Sequence, residues 1–266
     1  MDYHGGELYS GLAARCWGRY GLTGFDPNPA EDILYFRRMV EQHGTPALDA
    51  GCGAGRTLLP ALRDGLEVEG CDISADMLAM CRENGARFGL TPALYHQGMQ
   101  ELDLPRRYRT IYIPCGSFMC ITDRGEAKEA MRRLRLHLEP DGVLVFNIYL
   151  PWEDYFSPDS YAPPEWKLRA EYDFPETDEK IIVYRIVDEI DRVQQLERER
   201  RRFEWWRGGR RAGEETLSGL TRWYFAHEMH LMLERAGFRD ITITGDYTGE
   251  PLSSAHKSVM IFQARP

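Results

Sequence analysis

From residue 30 onward, the apolar positions alternate between two rhythms. Ile33, Phe36 and Val40 recur at helical spacing up to His43-Gly44, and the short apolar run Ala47-Leu-Asp-Ala50 follows as a strand. Leu58, Leu59 and Leu62 then predict a helix closed by Gly65, and Glu67–Cys71 a second strand. Ser74 is placed to cap a helix whose Met77, Leu78, Met80 and Cys81 face inward. Ala93–His96 and Tyr108–Pro114 read as the third and fourth strands. From Glu126 to His137, the residues Ala127, Ala130, Met131, Leu134 and Leu138 recur about every 3.6 residues, which predicts a helix. Pro140-Asp-Gly142 is expected to stop it, and Val143–Leu150 follows as a fifth strand. This strand is apolar almost throughout, as a sheet covered on both faces requires. Strands alternating with helices in this way predict an α/β fold around a mostly parallel sheet.

The pattern changes at Pro151. Through Pro164 the chain is rich in Pro, Tyr, Trp and Asp; then Lys180–Ile190 alternates, with Ile182, Tyr184, Ile186 and Ile190 expected on one side. Val193–Trp206, the turn Arg207-Gly-Gly-Arg210 and Glu214–Phe225 read as a hairpin and a returning third strand. The helical pattern resumes at Ala226–Ala236 with Met229, Met232, Leu233 and Ala236 aligned before Gly237, and strands at Asp240–Thr244 and Ser258–Ala264 close the chain. Residues 1–29, with Tyr3, Tyr9, Trp17, Tyr20 and Phe25 among glycines and polar residues, read as an irregular cap or short helices rather than a strand. The expected division is a cap at 1–29, a core at 30–164 and 221–266, and an antiparallel insertion at 165–220 serving as a lid or dimer surface.

A length of 266 residues suits one α/β domain with such an insertion. No window holds the roughly 20 uninterrupted apolar residues of a membrane span, and Met1-Asp-Tyr-His-Gly-Gly-Glu7 has neither a basic nor an apolar leader segment, so a cytoplasmic protein is expected. The net charge of −9, from 33 basic against 42 acidic residues, gives no general attraction to a phosphate backbone. A small-molecule substrate is expected rather than nucleic acid or a membrane. The six cysteines show no CxxC spacing and read as reduced, mostly buried thiols. His227 and His230 lack the HExxH spacing and a third ligand, so no metal is expected. The run Glu197-Arg-Glu-Arg-Arg-Arg202 mixes signs beside Phe203 and Trp205-Trp206, and reads as a strand with one solvated and one packed face.

The chemistry concentrates at the first strand. Gly51, Gly53 and Gly55 allow a sharp turn that brings backbone amides against a ligand, and Asp72, after the second strand, is placed to accept both hydroxyls of a ribose. A dinucleotide fingerprint would need a third glycine where Arg56 stands, which points away from NAD.

Leu48-Asp-Ala-Gly-Cys-Gly-Ala-Gly55 together with Gly70-Cys-Asp-Ile-Ser-Ala-Asp-Met-Leu78 resembles the class I S-adenosylmethionine-dependent methyltransferases. The likeness continues through Leu102-Asp-Leu-Pro-Arg-Arg-Tyr108, Pro114-Cys-Gly-Ser-Phe118 and Leu138-Glu-Pro-Asp-Gly-Val-Leu-Val145. It covers roughly residues 30–150 and the tail from 221, and is nearest in layout to small-molecule and sugar N-methyltransferases.

This resemblance implies a seven-stranded, mostly parallel Rossmann-like sheet with an inserted antiparallel β layer and a closing antiparallel pair at one edge. It implies S-adenosyl-L-methionine as cofactor and S-adenosyl-L-homocysteine as product. By resemblance, Asp49 helps hold the methionine amino group, the backbone of Gly51, Cys52 and Gly53 cradles the cofactor, and Asp72 takes the ribose. Gly98 and Met99 lie at the adenine and Tyr9 at the methionine end, while Ile73, Met77 and Cys115 complete the set. Relatives carry an aspartate where Gly98 stands. One missing hydrogen bond costs about 1–1.5 kcal/mol, roughly tenfold in affinity, unless Gln97 or Gln100 substitutes.

Methyl transfer from a sulfonium is an in-line displacement for which a dedicated base is optional. Sugar N-methyltransferases have a histidine where Cys120 stands, so the candidates near the strand ends are Ser117, Tyr149 and His256, with Asn147 and Trp152 behind them. Trp152, Tyr155, Phe156 and Tyr161 are available to build a substrate mouth. The acceptor is a small-molecule N or O atom. The alternatives are a different S-adenosylmethionine-using transferase and a non-catalytic binder of this cofactor or its product, and the insertion's apolar face leaves a homodimer open.

Overall fold

The computed structural model describes residues 7–266 and contains two sheets. After a helix α1 (Gly11–Gly21), the core alternates as α2 (Glu31–His43), β1 (Ala47–Ala50), α3 (Leu58–Arg63), β2 (Val68–Asp72), α4 (Ala75–Arg87), β3 (Leu94–His96), β4 (Tyr108–Ile113), α5 (Arg124–Leu136) and β5 (Leu138–Tyr149). A short helix α6 (Trp152–Phe156) leads into β6 (Lys167–Phe174), β7 (Glu179–Asp191), β8 (Leu196–Arg207) and β9 (Arg210–Arg222). The chain ends with α7 (Ala226–Arg235), β10 (Arg239–Gly245) and β11 (Val259–Arg265).

The larger sheet has the order β10-β11-β5-β4-β1-β2-β3, with β1 to β5 parallel and β11 antiparallel to both its neighbours. The strand order reverses between β1 and β4, so a crevice opens outside their carboxyl ends, where ligands bind in open α/β sheets. Strand β5 shows why this sheet must be covered twice. Leu144, Phe146 and Ile148 pack toward α5 and α7, while Val143 and Val145 pack toward α2 with Phe36 and Val40. All seven are almost completely buried, each burial stabilising by about 1.5–3 kcal/mol. Helix starts match the local chemistry: Ser74 accepts from the Met77 amide at 3.2 Å, and Asp123 accepts from the Gly125 and Glu126 amides.

Three expectations change. Strand β5 begins at Leu138 rather than Val143. Tyr108 pairs with Leu138 and Thr110 with Val143, so Pro140-Asp-Gly142 forms an irregularity inside the strand, and α5 stops earlier, at Leu136. The insertion has a further strand, β6, giving the order β6-β7-β8-β9. Finally, Ile181 and Val183, not Ile182 and Tyr184, form the packed face of β7. With Phe203 they bury Ala13 and Cys16 of α1. The stretch Lys180–Val187 carries apolar residues in both alternating sets, and the contact with α1 decides between them.

Helix α1 lies between the core and the insertion. Asn84 of α4 donates to the Gly18 carbonyl at 2.9 Å, and Ser74 donates to the Tyr9 carbonyl at 2.8 Å. On the other side the Leu12 amide donates to Glu215 at 2.8 Å and Arg15 pairs with the buried Glu179. Tyr3 lies outside the described residues.

Candidate active site

The glycine loop leaves β1 with Gly51 at φ +85° and Gly53 at φ +52°, both in the left-handed region. A Cβ on Gly51 would stand 3.0 Å from Ser117 Cβ and 3.1 Å from Met99 Cε, and one on Gly53 would stand 3.1 Å from Met77 Cε. Gly51, Gly53, Met77, Met99 and Ser117 therefore converge on one cradle. Cys52 is buried behind the loop and contributes only backbone to its surface.

Two carboxylates border this cradle. Asp49 is fully buried; one oxygen accepts from Thr57 Oγ1 at 2.5 Å, and Oδ1 has no hydrogen-bond partner. Burial pushes its pKa up to about 7, against the lowering effect of hydrogen bonds from Thr57 and Tyr112. Asp72 accepts from the Gly53 amide at 2.8 Å through one oxygen and the Ser74 amide at 2.9 Å through the other. Burial also raises its pKa, and these two amides oppose the rise. A carboxylate offers about four acceptor sites, so both acids keep capacity for further donors. Neither has a cationic side chain paired to it among the described residues.

The segment expected at the adenine end lies beside them. Ile73 is exposed at the end of β2, and Met99 is buried next to Gly98. Gln97 is committed elsewhere, its side chain bonding the Asp103 amide at 2.9 Å. Gln100 is not: its carboxamide lies 2.7–3.0 Å from the position a Gly98 Cβ would take, placing an amide where relatives carry the aspartate.

At the strand ends, Cys115 is exposed and sits at φ +57°, unusual for a residue with a side chain. Its Sγ lies 3.5 Å from Arg56, which forms a two-pronged pair with Asp32 at 2.5 and 2.9 Å, stacks over the Tyr20 ring at 4.7 Å and donates to Thr23. Sequence reasoning noticed Arg56 only as a missing glycine. Its position immediately after the loop was the available signal that it ties the loop to α1 and α2.

Tyr9 meets Cys120, with its hydroxyl 3.6 Å from Sγ. The Cys120 thiol and then burial push the Tyr9 phenol well up, and burial pushes the Cys120 thiol up. The charge of Arg201, from the inner face of the insertion, acts on both. That face carries a buried charged cluster, where the sequence alone predicts a strand with one solvated and one packed face. Glu197 and Glu199 are almost fully buried; Arg185 pairs with both, and Arg201 pairs with Glu199 at 2.7 Å.

The catalytic candidates separate. Ser117 adjoins Gly51, but its hydroxyl donates to the Pro114 carbonyl at 2.8 Å. Tyr149 is 45% exposed at the end of β5, its ring against Gly116. Asn147 is buried and accepts from the Gly116 amide. His256 is held in the loop before β11 by Ser253 and packs on Gly245, outside the contacts of the cradle. Trp152 and Phe156 pack against Phe225 rather than the cradle.

The residues around the cradle fit S-adenosylmethionine. Asp49 offers a buried acceptor for an ammonium, Asp72 offers acceptors for ribose hydroxyls, and the glycines leave room that a Cβ would fill.

Residues 47–142 match the family model described as a methyltransferase domain. The dTDP-3-amino-3,6-dideoxy-alpha-D-glucopyranose N,N-dimethyltransferase of Streptomyces fradiae is 30% identical over 134 residues, covering 50% of this chain and 49% of that protein. Among solved structures, an S-adenosylmethionine-dependent methyltransferase from Clostridium acetobutylicum ATCC 824 superposes with a TM-score of 0.76 at 16% identity, covering 96% of this chain and 99% of that one. Streptomyces venezuelae DesVI gives a TM-score of 0.66 at 18% identity, with 100% of both chains covered. The chain thus contains a methyltransferase domain at residues 47–142, and its fold is that of solved S-adenosylmethionine-dependent methyltransferases.

Proposed function

We propose that the protein methylates an amine nitrogen of a small, hydroxylated acceptor. The observation that carries this reading is the state of the side chains around the Tyr9 and Ser117 ends of the cradle. The Tyr9 phenol and the Cys120 thiol both have raised pKa values and stay protonated at neutral pH, and the Ser117 hydroxyl is already a donor to the Pro114 carbonyl. A hydroxyl acceptor needs its proton removed as it attacks, whereas a neutral amine carries its own lone pair. The relative from Streptomyces fradiae, whose name specifies an amino sugar, supports the same choice.

In this reading Asp49 holds the methionine ammonium of the cofactor, Asp72 the ribose, and Gly98 with Met99 and Ile73 the adenine. The backbone of Gly51, Cys52 and Gly53 and the side chain of Met77 shape the cradle, with Tyr9 and Cys115 at its methionine end. Bound S-adenosylmethionine supplies an electrophilic methyl on a sulfonium sulfur. The residues of this chain align it and exclude water: the turn just before α1 is held over the cradle by the Ser74 bond to the Tyr9 carbonyl, and the N–H proton of the methylated amine is released to solvent.

The test is incubation with methyl-labelled cofactor and a panel of nucleotide-linked 3-amino sugars alongside their 3-hydroxy counterparts. Label is expected on the amines with stoichiometric release of S-adenosylhomocysteine. Transfer only to the hydroxyl sugars would refute the amine assignment.

A further inference from the structure

Three segments converge on one crevice at the carboxyl ends of β4 and β5. Strand β4 leads into Cys115, which is exposed and yet so closely surrounded that burial pushes its thiol up to about 12. Tyr149, the last residue of β5, has its ring 2.8–2.9 Å from the position a Gly116 Cβ would take. Because β11 runs antiparallel to β5 and Val259 pairs with Tyr149, the connection from β10 to β11 opens at the same edge. That connection carries Tyr247, whose ring lies 5.4 Å from Tyr35 and 6.3 Å from Phe36 of α2. Asp32, on the same face of α2, lies 3.9 Å from Cys115 Sγ. The Tyr149 phenol, Asp32 and Cys115 all act electrostatically on the Tyr247 phenol.

The backbone is strained where it presents these side chains. Cys115 is at φ +57°, and the consecutive Asp246 and Tyr247 are at φ +48° and +59°, a region that residues with side chains rarely occupy. Asp246 holds the turn by accepting from the amides of Lys257 at 2.8 Å, Ser258 at 2.8 Å and Val259 at 2.9 Å. Strain of this kind persists where the fold over-determines it, and it gathers at ligand-binding positions. The charges at the crevice cancel, because Arg56 and Asp32 form a closed pair. Burial raises the phenols of Tyr149 and Tyr247, so both stay protonated at neutral pH. Arg56 covers the Tyr20 ring, whereas the hydroxyls of Tyr149 and Tyr247 have no hydrogen-bond partner among the described residues. Two uncommitted neutral hydroxyls, each a donor and an acceptor, recognise hydroxyl groups rather than ions.

We propose that Tyr149 and Tyr247 are specificity-determining residues for the acceptor, and that they hold a hydroxyl on a carbon next to the one bearing its amine. The assignment rests on the amine-methylating reading above. The attacking nitrogen must stand in line with the methyl group at the methionine end of the cradle, beside Cys115. Tyr149 packs on Gly116, the next residue along, so the acceptor groups first within reach of its hydroxyl are those beside the amine. The exposed Tyr149 ring offers an apolar face to the acceptor's ring, and the hydroxyl at its tip offers the polar contact. Both tyrosines bind and orient the acceptor and exchange no proton with it.

The test uses the full chain loaded with S-adenosylhomocysteine and labelled with 3-fluorotyrosine, with the Tyr149 and Tyr247 resonances assigned by single Tyr→Phe variants. 3-Amino-3-deoxy-D-glucose is titrated beside its counterpart lacking both hydroxyls that flank the amine. The hydroxylated sugar is expected to shift both resonances and to bind at least about threefold more tightly than the deoxygenated one. In the double variant Tyr149→Phe, Tyr247→Phe, which keeps both rings, that preference is expected to vanish while S-adenosylhomocysteine affinity stays within about twofold of wild type. Where calorimetry shows that the double variant no longer binds S-adenosylhomocysteine, the single variants carry the test, and at least one of them must lose the preference. Silence of both resonances, equal binding of the two sugars by the wild-type chain, or a preference that survives these substitutions would overturn the proposal. Failure of the labelled-methyl assay on every amine, with the shifts and the preference intact, strikes the amine reading alone.

Discussion

The two sheets bury carboxylates in opposite ways. At the carboxyl edge of the parallel sheet, Asp49 is fully buried and Asp72 half-buried, with only hydroxyls and amides for company. On the inner face of the insertion, Glu197 and Glu199 are almost fully buried, but Arg185 and Arg201 are paired with them. A buried acid that the protein leaves without a cation costs stability and is retained where a ligand supplies the complementary charge or donors. A buried acid with its own arginine is complete within the fold. We read the first arrangement as a binding site; the second ties β7 to β8 within the insertion.

Substitutions in the two regions should therefore separate when S-adenosylhomocysteine affinity is measured by calorimetry. The largest loss is expected for Asp72→Ala, which removes the proposed ribose acceptor and frees the Gly53 and Ser74 amides. Charge-assisted bonds of about 1.5–3 kcal/mol each predict a weakening of at least about a hundredfold. Gly51→Ala comes next. A Cβ there meets Ser117 and Met99 on a backbone at φ +85°, and strain of about 1–3 kcal/mol predicts roughly five- to a hundredfold weaker binding.

Gly98→Asp should act in the other direction, tightening binding by up to about tenfold provided Gln100 swings aside; unchanged or weaker affinity would contradict the placement of the adenine. The smallest effect on affinity is expected in the insertion. Glu199→Gln should leave S-adenosylhomocysteine binding within about twofold while lowering thermal stability by up to about 3 kcal/mol, because Arg201 and Arg185 lose a buried partner. A large loss of affinity in this variant would erase the distinction between the two regions.

How much of this was legible depended on how local each feature is. Ala47–Gly55 and Gly70–Leu78 announced the cradle because its turn, its cap at Ser74 and its acids lie within short, patterned segments. The face of β7 was misread because Ile181, Ile182, Val183 and Tyr184 satisfy both alternations, and only Ala13 and Cys16 of α1 select one. Strand β6 carried a readable alternation of Leu168, Ala170, Tyr172 and Phe174, but a register shift at Leu168–Ala170 and high exposure weakened it. The meeting of Tyr20, Asp32, Arg56 and Cys115 joins four separate segments, and no spacing in one sequence encodes it. The Glu-Arg run of β8 reads as one solvated and one packed face, and its spacing does not show that its alternate glutamates meet Arg185 across the β7–β8 pair.

The most direct test of the central claim is the pH dependence of S-adenosylhomocysteine binding. Asp49 must be ionised to hold an ammonium, and burial raises its pKa to about 7 in the free protein. Calorimetry between about pH 5.5 and 8 should therefore show affinity rising about tenfold per pH unit below 7 and levelling above it, with Asp49→Asn weak and nearly flat over the same range. Affinity independent of pH in the wild-type chain, or an unchanged slope in Asp49→Asn, would contradict the assignment of this buried acid to the cofactor.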